Sequence, residues 1–369
     1  MYNSKKTLKS KSYSPSINKK LDVKSIRTLK NNKLNLCNNL LKVKVKVNNK
    51  LRCLNYNNKE VINFLLNNLK YSKHLDATKF IAPKQIVGNC WFNTMYVTFF
   101  FSDKGRKFFR FFRELMIKGE KVDKTKIKDL NLRKLFFILN LYIEASYNQN
   151  NYKKNTNIYT NLHDQIKQLT YNSDTNYYIK EIYNIINNSN NIKNMNIPNV
   201  YEAGNPIEFY KALINYLDYN ILKILRIDVY NNININYLLH YKLNNYYVIP
   251  DIIILEDSIQ YTSKNNTKYE KYYNINIKNN NIKYVLDSII LTNKTYFKKN
   301  ANQHFVSVCT INDEEYKFDG DSYSRLSRFK WKNLINSNKD WDFIENPNYY
   351  PEKYNFTYGY KMMFYYREK

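Results

Sequence analysis

Gln85-Ile86-Val87-Gly88-Asn89-Cys90-Trp91-Phe92-Asn93-Thr94-Met95 is the stretch around which the chain is organised. Turn-formers precede the cysteine, Pro83 and then the Gly88-Asn89 pair, and an apolar, helix-compatible run from Trp91 to Phe101 follows it. A cysteine at that junction stands at a helix N-terminus. The unpaired backbone N–H groups and the positive end of the helix dipole there favour thiolate over thiol, and the thiolate is the nucleophile. Gln85 lies five positions upstream, within reach of the cysteine, and its side-chain amide has the chemistry to stabilise an oxyanion in acyl transfer. The plainer alternative is a buried cysteine opening a core helix.

A cysteine nucleophile needs a base, and the chain has four histidines, His74, His163, His240 and His304. His304 opens Gln303-His304-Phe305-Val306-Ser307-Val308-Cys309, which reads as a strand. A turn at Asn312-Asp313-Glu314 leads into a second strand, Glu315-Tyr316-Lys317-Phe318-Asp319-Gly320. In an antiparallel pair the start of one strand lies beside the end of the next, so Asp319 is expected next to the His304 ring. A carboxylate accepting from one ring nitrogen fixes the tautomer whose other nitrogen faces the cysteine. A lone histidine at a strand end, satisfied locally, is the alternative.

Around these motifs the chain divides into a helical and a sheet half. Val43, Val45 and Val47 alternate with lysines as in a short half-exposed strand. Helices are expected over Val61–Leu69, Phe108–Met116, Leu130–Ile143 and Ile179–Ile186, with Met95–Phe101 buried and loops over 147–161 and 187–199. Another helix opens at Gly204-Asn205-Pro206, with Asn205 as N-cap, Pro206 in the first turn and Glu208 three residues after the cap. Strands are expected over Tyr246–Leu255, Tyr269–Ile277, Tyr284–Thr292, His304–Ile311 and Glu315–Asp319. Helices first and strands later make an α+β fold. Residues 1–50 read as a basic, disordered tail and 51–369 as the folded domain, helical over about 51–220 and sheet over about 221–369.

Composition narrows the function classes. The net charge of +28 favours polyanions such as nucleic acid, although an A/T-rich genome, for instance that of a large DNA virus, also enriches Lys, Asn, Ile and Tyr. Phe108 to Met116 interleaves aromatic with basic residues, a pattern that grips nucleic acid or simply marks a core helix with a basic outer face. The six glycines form no phosphate-binding loop, so common nucleotide-binding folds are argued against, and no cofactor is expected. Cys37, Cys53, Cys90 and Cys309 have no metal-binding or disulfide-framework spacing, which suits a reducing, intracellular compartment. The start of the chain carries no apolar signal segment, and no uncharged apolar run approaches the length of a membrane span.

Gly88-Asn89-Cys90-Trp91-Phe92-Asn93 resembles the cysteine box of ubiquitin-specific proteases, and His304-Phe305-Val306-Ser307 through Tyr316-Lys317-Phe318-Asp319 resembles their histidine box. Pro250 to Leu255 and Tyr284 to Ile290 are similar to family strands between the boxes. Gln85 stands where the family usually has Asn, Gln303 where it has Gly, and Gly320 where it has a second Asp. The resemblance implies a papain-like fold with the active site between a helical half and a sheet half. It implies a Cys90, His304 and Asp319 triad assisted by Gln85, and ubiquitin or a ubiquitin-like protein as substrate of a cytoplasmic thiol peptidase. The order Cys, His, Asp separates it from adenovirus- and SUMO-protease-like enzymes. The reading from another class is a nucleic-acid-binding or virion structural protein that retains an inactive protease fold.

Overall fold

The computed structural model describes residues 35–37, 39, 41–69, 75, 77, 80, 85, 88–147, 175–188, 206–219, 221–229, 237, 241–243, 248–257, 274–277, 282–293, 304–320, 326–343, 352–357 and 359–368. All of them belong to one compact unit, Asn31–Lys369. The histidines His74, His163 and His240, the Asn205 cap, Gln303 and the first 34 residues lie outside the described residues.

The chain enters with a small antiparallel sheet, β1 (Asn35–Leu36), β2 (Lys42–Val47) and β3 (Lys50–Asn55), with β2 in the centre. Its lysines and valines alternate as a half-buried strand requires, and Val43 and Val45 are buried. Ordered structure therefore begins before residue 50, and the last part of the expected tail belongs to the fold. β1 and β3 lie on opposite sides of β2, and Cys37, the residue after β1, forms a disulfide with Cys53 of β3. This corrects the expectation of no disulfide. The pairing has no spacing motif in the sequence, and the cysteines no longer argue for a reducing compartment.

Seven helices follow among the described residues: α1 (Lys59–Asn68), α2 (Cys90–Phe100), α3 (Gly105–Phe108), α4 (Arg110–Lys118), α5 (Leu130–Tyr147), α6 (Thr175–Asn187) and α7 (Pro206–Tyr216). The expected Phe108–Met116 helix is broken at Phe109 and ends at Gly119, whose left-handed backbone (φ 61°) stops α4. Arg113 of α4 is buried against Glu144 (2.6 Å) and Asn140 (3.1 Å), so this arginine belongs to the core and not to a nucleic-acid-binding face.

The larger sheet comprises β4 (Ile224–Val229), β5 (Ile252–Asp257), β6 (Asn274–Ile277), β7 (Ile282–Leu291), β8 (Val306–Ile311), β9 (Glu314–Phe318), β10 (Ser327–Arg328) and β11 (Lys361–Glu368). The order is β10-β9-β8-β7-β11-β5-β4, with β6 also on β7. Every pairing is antiparallel except β4 with β5, which is parallel. The α+β expectation holds at the level of mixed helices and a multi-strand sheet. Strands β4 and β11 were not anticipated, and β11 is central.

Both faces of this sheet are covered. Ile252, Ile254, Met362, Phe364 and Tyr366 pack with the helices, while Ile253, Leu255, Met363 and Tyr365 pack with Trp331, Trp341, Tyr354 and Phe356 on the far side. A strand buried on both faces carries no polar alternation, which is why β8 is apolar or small-polar throughout and β5 is apolar up to Glu256 and Asp257, buried carboxylates paired with Arg226 (2.8 Å) and Lys361 (2.6 Å). The layer of helices, with α2 against β7 and β8, sets the stage for the site.

Candidate active site

All eleven residues of α2 are buried. A helix so enclosed must satisfy its own polar side chains. Thr94 donates to the carbonyls of Cys90 and Trp91 (3.0 Å each), Thr98 to that of Thr94 (3.1 Å), and Ser102 to that of Thr98 (2.7 Å). Trp91 stacks on Phe209 of α7 at 3.4 Å between ring centres and meets Tyr183 of α6 edge-on. These contacts fix the helix that begins at Cys90. The turn before it needs Gly88, whose backbone is left-handed (φ 54°). Asn89 occupies the cap position, and the N–H groups of Phe92 and Asn93 donate to its carbonyl.

The β8–β9 hairpin brings the other two groups. Its two-residue turn, Asn312-Asp313, has positive φ at both residues (51° and 63°), the conformation that matches the twist of a tight hairpin and suits Asn and Asp. That turn fixes the register Ile311↔Glu314 to Ser307↔Phe318. Continued by one residue, it sets Asp319 opposite Val306, a diagonal step from His304. His304 Nε2 and Asp319 Oδ1 are 2.7 Å apart. Asp319 is buried, whereas the His304 side chain is about one-fifth exposed (20%) and so faces both the core and the outside.

The second hydrogen-bond partner of the His304 ring is the Cys90 side chain. Burial by itself lowers the His304 pKa, but the hydrogen bonds to Asp319 and Cys90 and the negative charge at both outweigh it and push the ring up to about 11. The structure thus brings Cys90, His304 and Asp319 together, with the charged form of the His304 ring favoured.

Gln85 lies on the other side of Asp319's neighbour. A Cβ built on Gly320 would stand 3.1 Å from Gln85 Oε1, 2.7 Å from Asn93 Nδ2 and 3.2 Å from Asn93 Cβ. A side chain at this position would force Asn93 to move. Gln85 Oε1, both side-chain polar atoms of Asn89 and both of Asn93 are buried with no hydrogen-bond partner among the described residues. Leaving such a group unsatisfied costs about 1–3 kcal/mol each, so five of them around one helix start mark a place built for something other than stability. Asn93 and the Gly320 notch had no role in the sequence reading. Their signal was Asn93 one helical turn after Cys90 and glycine directly after Asp319. Tyr354 was also missed. It is buried, its hydroxyl donates to Glu352 (3.1 Å), and burial, then the charges of Glu352, Asp319 and Cys90, raise its pKa.

No protein-family model matches the chain, and no curated protein matches it in sequence. Among solved structures it is similar to the SAGA Ubp8/Sgf11/Sus1/Sgf73 DUB module bound to ubiquitin aldehyde, at 11% identity and a TM-score of 0.45 over 89% of this chain and 81% of that one. A variant of that module bound to monoubiquitin is similar at 11% identity and a TM-score of 0.43, with the same coverage. Among the described residues no helix is long and apolar enough to cross a membrane.

Proposed function

We propose that the chain is a cysteine peptidase that cleaves peptide or isopeptide bonds at the C-terminus of ubiquitin or a ubiquitin-like protein. The observation that carries the chemistry is the His304 ring, bonded on one side to Asp319 at 2.7 Å and on the other to a cysteine at the start of a buried helix. The support for ubiquitin is the resemblance of the two boxes around Cys90 and His304.

In the proposed reaction the Cys90 thiolate attacks the carbonyl carbon of the scissile bond. The oxygen that becomes negative is met by backbone N–H groups at the start of α2 and by the Gln85 amide. His304 gives its proton to the leaving amine, the C–N bond breaks, and a thioester remains on Cys90. Water then attacks the thioester, His304 takes its proton, and the thiolate leaves. Asp319 holds the ring in the tautomer that serves both steps.

A ubiquitin C-terminal electrophile such as a propargylamide or vinyl sulfone tests the reading. Covalent labelling of the wild type that disappears in Cys90→Ala is the expected result. Iodoacetamide reactivity at Cys90 with no labelling by the ubiquitin probe would refute ubiquitin as the substrate.

A second reading is favoured by one observation. Residues 1–59 hold 16 Lys and Arg against the single Asp22, a net of +15 out of +28 for the whole chain. Polyanion binding by this N-terminal region is therefore proposed beside the peptidase chemistry, and a salt-sensitive gel shift without probe labelling would favour a nucleic-acid-binding protein with an inactive site.

A further inference from the structure

The peptidase reading gives Gln85 a task that its side chain cannot perform unaided. A carboxamide has one oxygen that accepts and one nitrogen that donates, and three rotatable bonds let it present either. To meet an oxyanion it must be held with the nitrogen turned inward. Cys90 and His304 are fixed by a buried helix and a hairpin, but Gln85 lies in the segment before Gly88, outside any helix or strand.

The Gly320 notch offers the hold. Asn93 Nδ2, a donor, and Gln85 Oε1, an acceptor, border the same small space beside the Gly320 backbone, at 2.7 and 3.1 Å from where a Cβ would be. Both atoms are buried, and neither has a hydrogen-bond partner among the described residues. Asn93 is itself immobile in the core, one turn along α2 from the nucleophile. We infer that Asn93 is a positioning residue for Gln85: when the two amides close across the notch that Gly320 leaves open, the Asn93 N–H takes the Gln85 oxygen and so turns the Gln85 N–H toward the oxygen that becomes negative in acyl transfer.

This inference rests on the proposed acyl-transfer reading but not on ubiquitin as the substrate. A side-chain methyl at 320 would occupy the space through which the two amides meet. The geometry also accounts for glycine at this position, where the resembled family carries an aspartate.

The test uses the full chain and two small probes. With p-nitrophenyl acetate, Cys90 Sγ attacks the acetyl carbonyl, the ester C–O bond breaks, p-nitrophenolate leaves, and an acetyl thioester forms. This step passes through an oxyanion. Alkylation by iodoacetamide displaces iodide at a saturated carbon and has no oxyanion. Asn93→Ala, Asn93→Asp and Gly320→Ala are each expected to slow acylation by about 10- to 100-fold while leaving alkylation unchanged. In a Gln85→Ala background, Asn93→Ala should add less than about twofold, because the two residues act as one unit.

Full additivity with Gln85→Ala, an equal fall in alkylation, or wild-type acylation in Asn93→Asp would each overturn the assignment. Asn93→Asp keeps the shape of the side chain and removes the donor, so it decides the matter if Asn93→Ala melts. A wild type that acylates on the ester but ignores ubiquitin probes sinks the ubiquitin reading alone, and the ester cycle still decides the role of Asn93. A wild type that does not acylate overturns both.

Discussion

Replacing Asp103 by alanine should loosen the hairpin that carries His304 and Asp319 without touching either. Asp103 lies three residues past the end of α2 and reaches across to the β8–β9 turn. Its two carboxylate oxygens accept from the N–H groups of Asn312 and Asp313, at 2.9 Å each. Its own N–H donates to the Thr310 carbonyl (2.8 Å), and Arg106 pairs with its Oδ1 at 2.6 Å. The alanine variant keeps the backbone bond and loses the rest. Hydrogen bonds to a charged group contribute about 1.5–3 kcal/mol each, so two of them amount to about 3–6 kcal/mol, with the Arg106 pair adding little because its charge can turn to water. Unfolding entropy of about 2.1 cal/mol/K per residue gives the Asn31–Lys369 unit about 0.7 kcal/mol per degree. The melting temperature should therefore fall by about 4–9 °C, and amide exchange at Asn312 and Asp313 should accelerate. A melting temperature within about 1 °C of wild type, with exchange at both amides unchanged, would refute the view that this carboxylate ties the hairpin to the helix.

Three other outcomes follow from the same geometry. The pKa of His304 is raised from 6.5 to about 11, so the stabilisation from its charged form is complete below pH 6.5 and is lost as pH climbs toward 11; the difference in melting temperature between wild type and His304→Gln should shrink steadily from pH 7 to pH 10, and a difference that grows would reverse the sign of the coupling. Asp319→Asn retains an acceptor for the ring but loses the charge and admits the wrong tautomer, so single-turnover acylation should drop by roughly 10²–10⁴, short of the complete loss in Cys90→Ala; an unchanged rate would remove Asp319 from the site. Deleting residues 1–34 should leave the melting temperature in place and weaken retention on heparin, whereas deleting 1–50 removes β2 with its buried Val43 and Val45 and should cost about 3–6 kcal/mol; equal stability of the two truncations would show that the small sheet adds nothing to the fold.

The sequence announced the helix that begins at Cys90 and the hairpin between His304 and Asp319 because both are local. Gly88-Asn89 followed by an apolar run, and Asn312-Asp313 between two β-branched runs, are signals that a dozen residues suffice to set. What it concealed is long-range. Lys361 to Glu368 is an unbroken run of large apolar residues between charges, with no period of two, since Met362 and Met363 face opposite cores. Nothing near it in sequence tells that it inserts between β5 and β7, strands that end more than sixty residues earlier. The Cys37–Cys53 bridge joins the residue after β1 to β3 and depends on how the chain turns past the end of β1, which no local motif announces. The notch at Gly320 was invisible for a related reason: glycine after Asp319 reads as a turn, and only the packed structure shows two side-chain amides standing where a Cβ would be.

These long-range features explain how a site split between two elements keeps its geometry. Cys90 rides on α2, and His304 and Asp319 ride on the ends of β8 and β9, so the sulfur-to-ring spacing is set by how the hairpin lies on the helix. Two contacts fix that relation, one at each end of the hairpin. At the turn, Asp103 from the end of α2 holds Asn312 and Asp313. At the open end, Asn93 from the first turn of α2 lies against Gly320. Between them β8 packs on α2, with Cys309 fully buried and its thiol pKa raised by that burial and by the charges of Asp287 and Asp103. The chain thus holds two free cysteines on facing elements and gives them opposite surroundings. Cys309 lies in the core near carboxylates, which disfavour a thiolate. Cys90 lies at the start of α2 beside the His304 ring. A thiol reagent should therefore discriminate sharply between them in the folded protein, and that selectivity should vanish in denaturant, where both are ordinary thiols.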